Sequence, residues 1–452
     1  MKTIFITSFA PFIPRNILKT AILKKLSELG DLRIIIFAPH YKMPYFLKEF
    51  GGGNLVIEGV SMSAKESGAA SLVFRRIARM MLDTRTARIQ KRAKLFHDKK
   101  FLYFFVSRLV SVLGKIYFIR QSVRFLDYLF SKRRFQAQFE RFRPDVIFST
   151  DVQNEYDARM LQQAKRRGAL SIGMVRSWDN LTSLQGVMRA IPDWLLVHTE
   201  ILKKEAVDFH DVPEDKIKVV GKPHYDTYLK RSRTPREVFF KDIGLDPSKK
   251  LIFFAPWGGK FENNTGADEY VLNILEEASN KFDLNILVRP NPTHLFNWVP
   301  PDNSKRMVLD RAGVVFSEKQ VADREMGQED DLRLSDALYH CDLAVSCSST
   351  VVVDAALFNK PIIATALTPH KTPYYAGVLK YYDYNHFANI VKTGGIRIAE
   401  TKAQLMKFIE MYLQNPALDQ NGRERIREDQ CWKLDGKSAE RVAEFIVSVL
   451  KV

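Results

Sequence analysis

The chain has 452 residues, 46% hydrophobic and 27% charged, too long for one comfortable core and balanced enough to bury two. Its three cysteines, Cys341, Cys347 and Cys431, are odd in number and lack metal-ligand spacing, which argues against a disulfide scaffold and suits a reducing cytoplasm. The net charge of +17 is concentrated in residues 65–143, where twenty Lys and Arg stand against five Asp and Glu, so the rest of the chain is nearly neutral.

The N-terminal "MKTIFITSFAPFIPRN" has one Lys and an apolar run that ends at Pro11, too short for a secretory signal or a membrane span. It reads as a first strand, followed by a helical pattern at "NILKTAILKKLSELG" and a second strand at "DLRIIIFAP". The basic segment comes next, with a single Gly after residue 68 and no Pro before Pro144. Phe118, Val123, Leu126, Leu129 and Phe130 recur at helical spacing, while Arg120, Arg124, Asp127 and Lys132 fall mostly elsewhere, which predicts several basic amphipathic helices. Two readings stand: a helical insertion with a solvated basic face, or a surface for an anionic membrane. The run "FLYFFVSRLVSVLGKIYFI" is a poor span, because Arg108 and Lys115 would each cost roughly 2.5 to 3.5 kcal/mol deep in hydrocarbon. It is expected to lie in the interface. Nucleic acid ranks last as a partner, since neither an RNA-binding signature nor a helix-turn-helix pattern accompanies the charge.

Beyond the insertion, short β-branched runs alternate with amphipathic helices: "DVIFST", "EYDARMLQQAKRRG", "ALSIGMV", "DWLLVHT", "EILKKEAVDF", "KIKVVG". A second series starts at "LIFFAP" and continues through "LNILVRP", "MVLD", "DLAVSC" and "KPIIAT". The pattern predicts an α/β protein of two doubly wound, Rossmann-like domains with a basic helical insertion in the first. Ligands of such sheets bind at the carboxyl ends of the strands, so candidate site residues are sought there.

In the first half, "RSWDNLTSLQG" follows a strand directly. Asp179 is the candidate general base, Trp178 offers a flat face, and Arg176, Asn180 and Thr182 offer hydrogen bonds. The alternative is an Asx turn at Asp179 and Asn180 with Trp178 in the core. Arg15 and Asn16 after the first strand, and His224 in "GKPH", are further candidates, His224 as a catalytic group. In the second half, "WGGK" (Trp257, Gly258, Gly259, Lys260) offers amides and a cation to an anion, and "RPNP" places Arg289 and Asn291 at a strand end. "SCSST" leads into a helix, so Ser348, Ser349 and Thr350 present hydroxyls and free amides, with Asp354 one turn on. The acidic "EDD" at 329–331 follows no apolar strand, and no metal site is expected.

The segments "KIKVVGKPHYD", "LVRPNP", "DLAVSCSSTVVVDAALFNKPII" and "WKLDGKSAERVAEFI" resemble GT-B glycosyltransferases, and within that fold the bacterial CDP-glycerol glycerophosphotransferases and UDP-N-acetylglucosamine 2-epimerases. The resemblance covers roughly residues 140–450. It implies that Ser348, Ser349 and Thr350 hold a donor diphosphate, that Asp354 contacts ribose, that Asp435 and Gly436 lie near the domain junction, and that no metal or other cofactor is needed. Asn291 stands where the CDP-glycerol enzymes carry a His, and "WGG" replaces their His-Gly pair, which favours a sugar transferase on the shared scaffold.

The implied organisation is an acceptor-side domain over 1–230, a nucleotide-sugar domain over 231–430 and a helix over 431–452 that packs back on the first. The implied activity is transfer of a sugar from a nucleotide diphosphate, UDP preferred over CDP, to a glycan or lipid-linked acceptor. The setting is cell-surface polysaccharide synthesis at the inner face of the cell membrane. A CDP-glycerol-type polyol-phosphate transferase, a UDP-sugar 2-epimerase and a non-catalytic membrane-binding protein remain as alternatives.

Overall fold

A computed structural model describes residues 1–63, 68–183, 185–258, 265–294, 296–301, 305–316 and 324–451. The chain forms two compact units, one of Met1–Leu229 with Trp432–Val452 and one of Lys230–Cys431.

The first unit is built on a seven-stranded parallel sheet in the order β3-β2-β1-β4-β5-β6-β7. Its strands are β1 (Lys2–Thr7), β2 (Leu32–Pro39), β3 (Leu55–Val60), β4 (Val146–Ser149), β5 (Leu170–Met174), β6 (Trp194–Val197) and β7 (Ile217–Val219). Alternation along the strands divides the core. Ile4, Ile6, Ile34, Ile36, Val146 and Phe148 share one cluster with Leu26, Phe46, Val442 and Ile446, whereas Phe5, Ile35, Phe37 and Ile147 share another with Phe135, Phe139 and Met160. Both faces are therefore apolar and covered by helices, as parallel sheets require. The helical pattern after β1 is realised in two pieces: a π-helical turn Pro14–Leu18, then Ala21–Ser27, whose first turn Thr20 caps by accepting from Ile22 N–H at 3.3 Å.

The C-terminal helix Ser438–Leu450 completes this unit. The Asp226 carboxylate accepts from the Ser438 and Ala439 amides at 3.1 and 2.8 Å, which fixes the helix start by charge and hydrogen bonding. Gly221 sits beside it with φ +84°, and a Cβ there would lie 2.4 Å from Ser438 Oγ, so this position demands glycine.

Between β3 and β4 lie the helices Ala69–Met81, Arg85–Phe96, Phe101–Leu113, Tyr117–Phe130 and Gln136–Phe142. Two of them are inside out. Helix Phe101–Leu113 buries Ser107 and Ser111, and helix Tyr117–Phe130 buries Asp127, while Leu102, Phe105, Leu109, Phe118, Phe125 and Phe130 are exposed. The basic face expected in solvent is partly turned inward instead: Arg120 and Arg124 both pair with Asp211, and Arg124 Nη2 donates to the His210 carbonyl at 2.7 Å. Lys91 is fully buried and donates to the carbonyls of Met80 and Leu82 at 2.8 Å, satisfying the end of helix Ala69–Met81. No single helix among the described residues is long and apolar enough to cross a membrane; Phe101–Leu113 and Tyr117–Phe130 meet that test only as a pair, bent by 108°.

The second unit has a six-stranded parallel sheet in the order β10-β9-β8-β11-β12-β13, with β8 (Leu251–Ala255), β9 (Asn285–Val288), β10 (Met307–Leu309), β11 (Leu343–Ser346), β12 (Ile362–Thr365) and β13 (Arg397–Ala399). Renumbered from its own first strand, this is the same 3-2-1-4-5-6 order that opens the first unit. Each unit therefore has a switch point where strand order reverses, between β1 and β4 and between β8 and β11, which is where α/β sheets bind ligands.

Candidate active site

At the first switch point, polar side chains replace the apolar strand residues. Thr7 ends β1 and Ser149 ends β4; both donate to Asp157 Oδ1, Ser149 at 2.8 Å, and the Thr150 amide donates to Thr7 Oγ1 at 2.9 Å. Asp157 is fully buried, and burial together with neighbouring Asp151 pushes its carboxyl up to about 7. Asp151, directly after β4, accepts from Arg176 Nε at 2.7 Å and from Asn180 Nδ2 at 3.3 Å. The β4 and β5 ends are thereby joined by a charge-assisted bond, and the Asp151 carboxylate holds the Arg176 guanidinium firmly protonated.

The loop after β5 places Asp179 just before a 3₁₀ turn, Asn180–Thr182, with Ser177 Oγ donating to Asp179 Oδ1 at 2.5 Å. Asp179 is half-buried. Behind it, on helix Glu200–His210, Glu205 is buried, and burial first and the Asp179 charge second push its carboxyl up to about 8. Glu205 therefore stays protonated near pH 7.

The loop is stapled to the helical insertion. Thr84 Oγ1 donates to the Thr182 carbonyl at 2.5 Å, the Val187 amide donates to the Ala78 carbonyl at 3.0 Å, and Arg124 Nε donates to the Met188 carbonyl at 2.9 Å. Gly186 belongs to the same junction, where a Cβ would lie 2.6 Å from the backbone of Ala78 and Arg79.

Three further polar groups belong to this unit. His224 is half-buried, its ring centroid 4.4 Å from that of Tyr225, and burial with the nearby cations Arg15 and Lys222 keeps its imidazole neutral. His198, at the end of β6, is buried and pushed down to about 3 by burial and Lys222. Arg15 donates through Nε to Asn16 Oδ1 at 2.8 Å, and its guanidinium lies over the Phe12 ring.

Several sequence candidates have other work here. Trp178 is 7% exposed and Thr182 is fully buried, so neither presents a face to a sugar. Asn180 is buried and spent on Asp151. Asp435 accepts from the Lys437 amide at 3.1 Å and pairs with Arg441, and Gly436 has φ +69°; this turn leads into the C-terminal helix.

In the second unit, the amides of Trp257 and Gly258 both donate to the Asp268 carboxylate, each at 2.8 Å. Those amides are taken, which corrects the expectation that they face an anion. Gly259 and Lys260 lie outside the described residues. Trp257 is buried with its ring centroid 5.2 Å from that of Tyr381. Arg289 is also buried, paired with Asp310 and donating to the Asp330 carbonyl at 2.7 Å; it braces β9 and does not reach outward. Asn291 makes an Asx turn, accepting from the Thr293 amide and hydroxyl at 3.0 and 2.8 Å. After β11, Ser349 Oγ accepts from the Val351 amide at 3.1 Å, a capping role, while Ser348 is half-buried, Thr350 exposed and Asp354 buried.

Asp151, Asp157, His198 and Glu205 were missed in the sequence. A signal existed for the first: Asp151 follows "FST" at a strand's carboxyl end, the same reasoning that picked out Arg176. Glu205 sits mid-helix among ordinary polar residues and carries no local mark.

Two Rossmann-type units in one chain, each with its polar residues at the carboxyl ends of its strands, define the GT-B class. The UDP-GlcNAc 2-epimerase of Methanocaldococcus jannaschii has a similar structure, with a TM-score of 0.55 at 14% identity, covering 99% of this chain and 100% of that one. The wall teichoic acid polymerase TagF is also similar, with a TM-score of 0.54 at 14% identity over 100% of this chain and 89% of that one. The chain belongs to the CDP-glycerol:poly(glycerophosphate) glycerophosphotransferase family, which matches residues 189–448. No curated protein matches it in sequence. It is a transferase of GT-B type.

Proposed function

We propose that the protein transfers a sugar from a nucleotide-diphosphate donor to a hydroxyl of a membrane-associated glycan or lipid-linked acceptor in cell-surface polymer synthesis. The observation that carries the reading is the Asp179 loop, where a half-buried carboxylate held by Ser177 stands at the end of β5 beside a protonated Glu205. Asp179 takes the acceptor proton as the donor bond breaks, with Arg176 and His224 positioning the acceptor. The donor diphosphate is assigned to the second unit, at Ser348 and Thr350, and Asp354 to the ribose. No metal or other cofactor is assigned a step. The site of action is the cytoplasmic face of the cell membrane.

A second reading, transfer of glycerol phosphate from CDP-glycerol, is favoured by the family match over residues 189–448. A panel of UDP- and CDP-linked donors scored by melting temperature separates the two, since a ligand that binds only the folded state raises it. Stabilisation by CDP-glycerol without any by UDP sugars replaces the first reading with the second. Asp179→Asn is expected to lower kcat on the order of 10²- to 10⁴-fold with donor affinity unchanged; wild-type turnover would remove Asp179 as the base.

A further inference from the structure

Positive charge gathers where the chain leaves β6 and β7. The Val220 amide donates to the Val197 carbonyl at 2.9 Å, which keeps the stretch after β7 against the end of β6. His198 follows β6 directly, and Lys222 and His224 follow the Gly221 turn. Lys222 is 7% exposed; its Nζ donates to the Tyr225 hydroxyl at 3.3 Å and lies 4.8 Å from the centroid of that ring. The His224 ring is 4.4 Å from the same tyrosine, which thereby sets the spacing of lysine and histidine. Arg15, on the π-helical turn after β1, acts on His224 as a second cation. Its guanidinium lies 5.6 Å from the centroid of the Phe12 ring, and Phe12 has φ +68°, a left-handed backbone that is rare for an aromatic residue and clusters at functional sites. The local balance is positive. Lys222 bears on His198, Arg15 and Lys222 bear on His224, and no carboxylate among the described residues bears on either ring. His198 is 7% exposed, and its Nδ1 is buried with no hydrogen-bond partner among the described residues. A buried polar atom in that state carries a cost that a bound ligand recovers.

We infer that Arg15, His198, Lys222 and His224 form an oxyanion subsite of the first unit, and that it holds a phosphate or carboxylate group carried by the acceptor. The ligand class follows from the donors. Guanidinium, ammonium and imidazole N–H groups match an oxyanion, which accepts several charge-assisted hydrogen bonds at once. A neutral sugar hydroxyl gains far less from two cations beside buried groups, and the same cations repel a metal ion. The place also suits an acceptor. β6 neighbours β5, so His198 stands one strand spacing, about 4.8 Å, along the sheet from the strand that leads to Asp179. An anion held there leaves a hydroxyl a few bonds away within reach of that carboxylate. The inference deepens the proposed function by naming the acceptor's chemistry; its purpose rests on that reading, whereas the anion subsite itself does not.

The test is binding of inorganic phosphate and of acetate to the full chain, read by titration calorimetry and by melting temperature, with sodium chloride at matched ionic strength as the blank. Binding above the chloride blank is expected, with a rise in melting temperature. Lys222→Gln and Arg15→Gln should each weaken the preferred anion about tenfold or more, the worth of one charge-assisted hydrogen bond. The same titration on Ser348→Ala with Thr350→Ala removes any contribution from the second unit and should leave this binding in place. Preference for phosphate identifies a phosphate-bearing acceptor and preference for acetate a carboxylate-bearing one; either upholds the subsite. No response to either anion above chloride overturns it. Binding that survives both first-unit substitutions, or that disappears with the second-unit pair, also overturns it and assigns the anion to the second unit. Should Lys222→Gln lose its melting transition, Arg15→Gln, on a half-buried turn, gives the reading. Anion binding of the expected kind without donor turnover sinks the transferase reading and upholds the subsite; turnover without anion binding does the reverse.

Discussion

Glu205 titrates far from an ordinary glutamate, and the sign of its effect follows from that. Its carboxyl is raised from 4.5 to about 8 in the folded protein, so between those values the folded state holds a proton that the unfolded state has released. Its contribution to stability is complete below about pH 4.5 and is lost as pH rises through 8. Glu205→Gln removes the titration and is expected to stabilise the protein at pH 8.5 relative to pH 4.5 by up to about 5 kcal/mol, from about 1.4 kcal/mol per pKa unit. Urea unfolding at the two pH values measures this; a difference independent of pH rejects a protonated Glu205. At this scale the sequence was legible in placement, since Arg176 and Asp179 do lie in the loop after β5. It misled where a residue of the right type is consumed by its neighbours. Trp178 looks like a sugar platform and is core; Arg289 looks like a phosphate clamp and is the partner of Asp310. Side-chain direction depends on tertiary neighbours, and one-dimensional spacing does not contain them.

Among the elements, helix Tyr117–Phe130 is fixed to helix Glu155–Arg167 by a buried ionic cluster. Arg159 bridges Asp127 and Glu155, each at 2.9 Å, and Arg189 adds a second cation to both carboxylates. Burial opposes ionisation of Glu155, yet Arg189 and Arg159 win and pull its carboxyl down to about 2. Removing one member leaves the rest charged and dry, which costs about 3 to 5 kcal/mol. Asp127→Asn is accordingly expected to lower the urea midpoint of the first unit and to loosen the insertion, read as faster proteolysis within residues 101–130; an unchanged midpoint would show the cluster to be energetically neutral. The existence of these helices was legible from their 3.6-residue period. Their orientation was legible only as one of two readings, a solvated basic face over a packed apolar stripe or an apolar run presented outward. Here the stripe faces out, and the polar residues Ser107, Ser111 and Asp127 are the buried ones.

Taken as a whole, the molecule is two repetitions of one sheet order, and this was the most legible property of the sequence because buried parallel strands read as short apolar runs between amphipathic helices. The return of the chain end to the first unit was legible only through the resemblance of "LDGKSAERV" to a known motif. Val442, Ile446 and Leu450 are within 2% of full burial in the core beside β1 and β2, each contributing roughly 1.5 to 3 kcal/mol. Deleting residues 432–452 is expected to abolish the first unit's calorimetric transition and leave one from the second; two surviving transitions would contradict this assignment. The bonds from Thr84, Ala78 and Arg124 to the loop at 182–188 carry a consequence for motion. They tie the loop that follows Asp179 to the helical insertion at three points, so the two shift as one piece, and any load on the insertion is passed to the carboxylate.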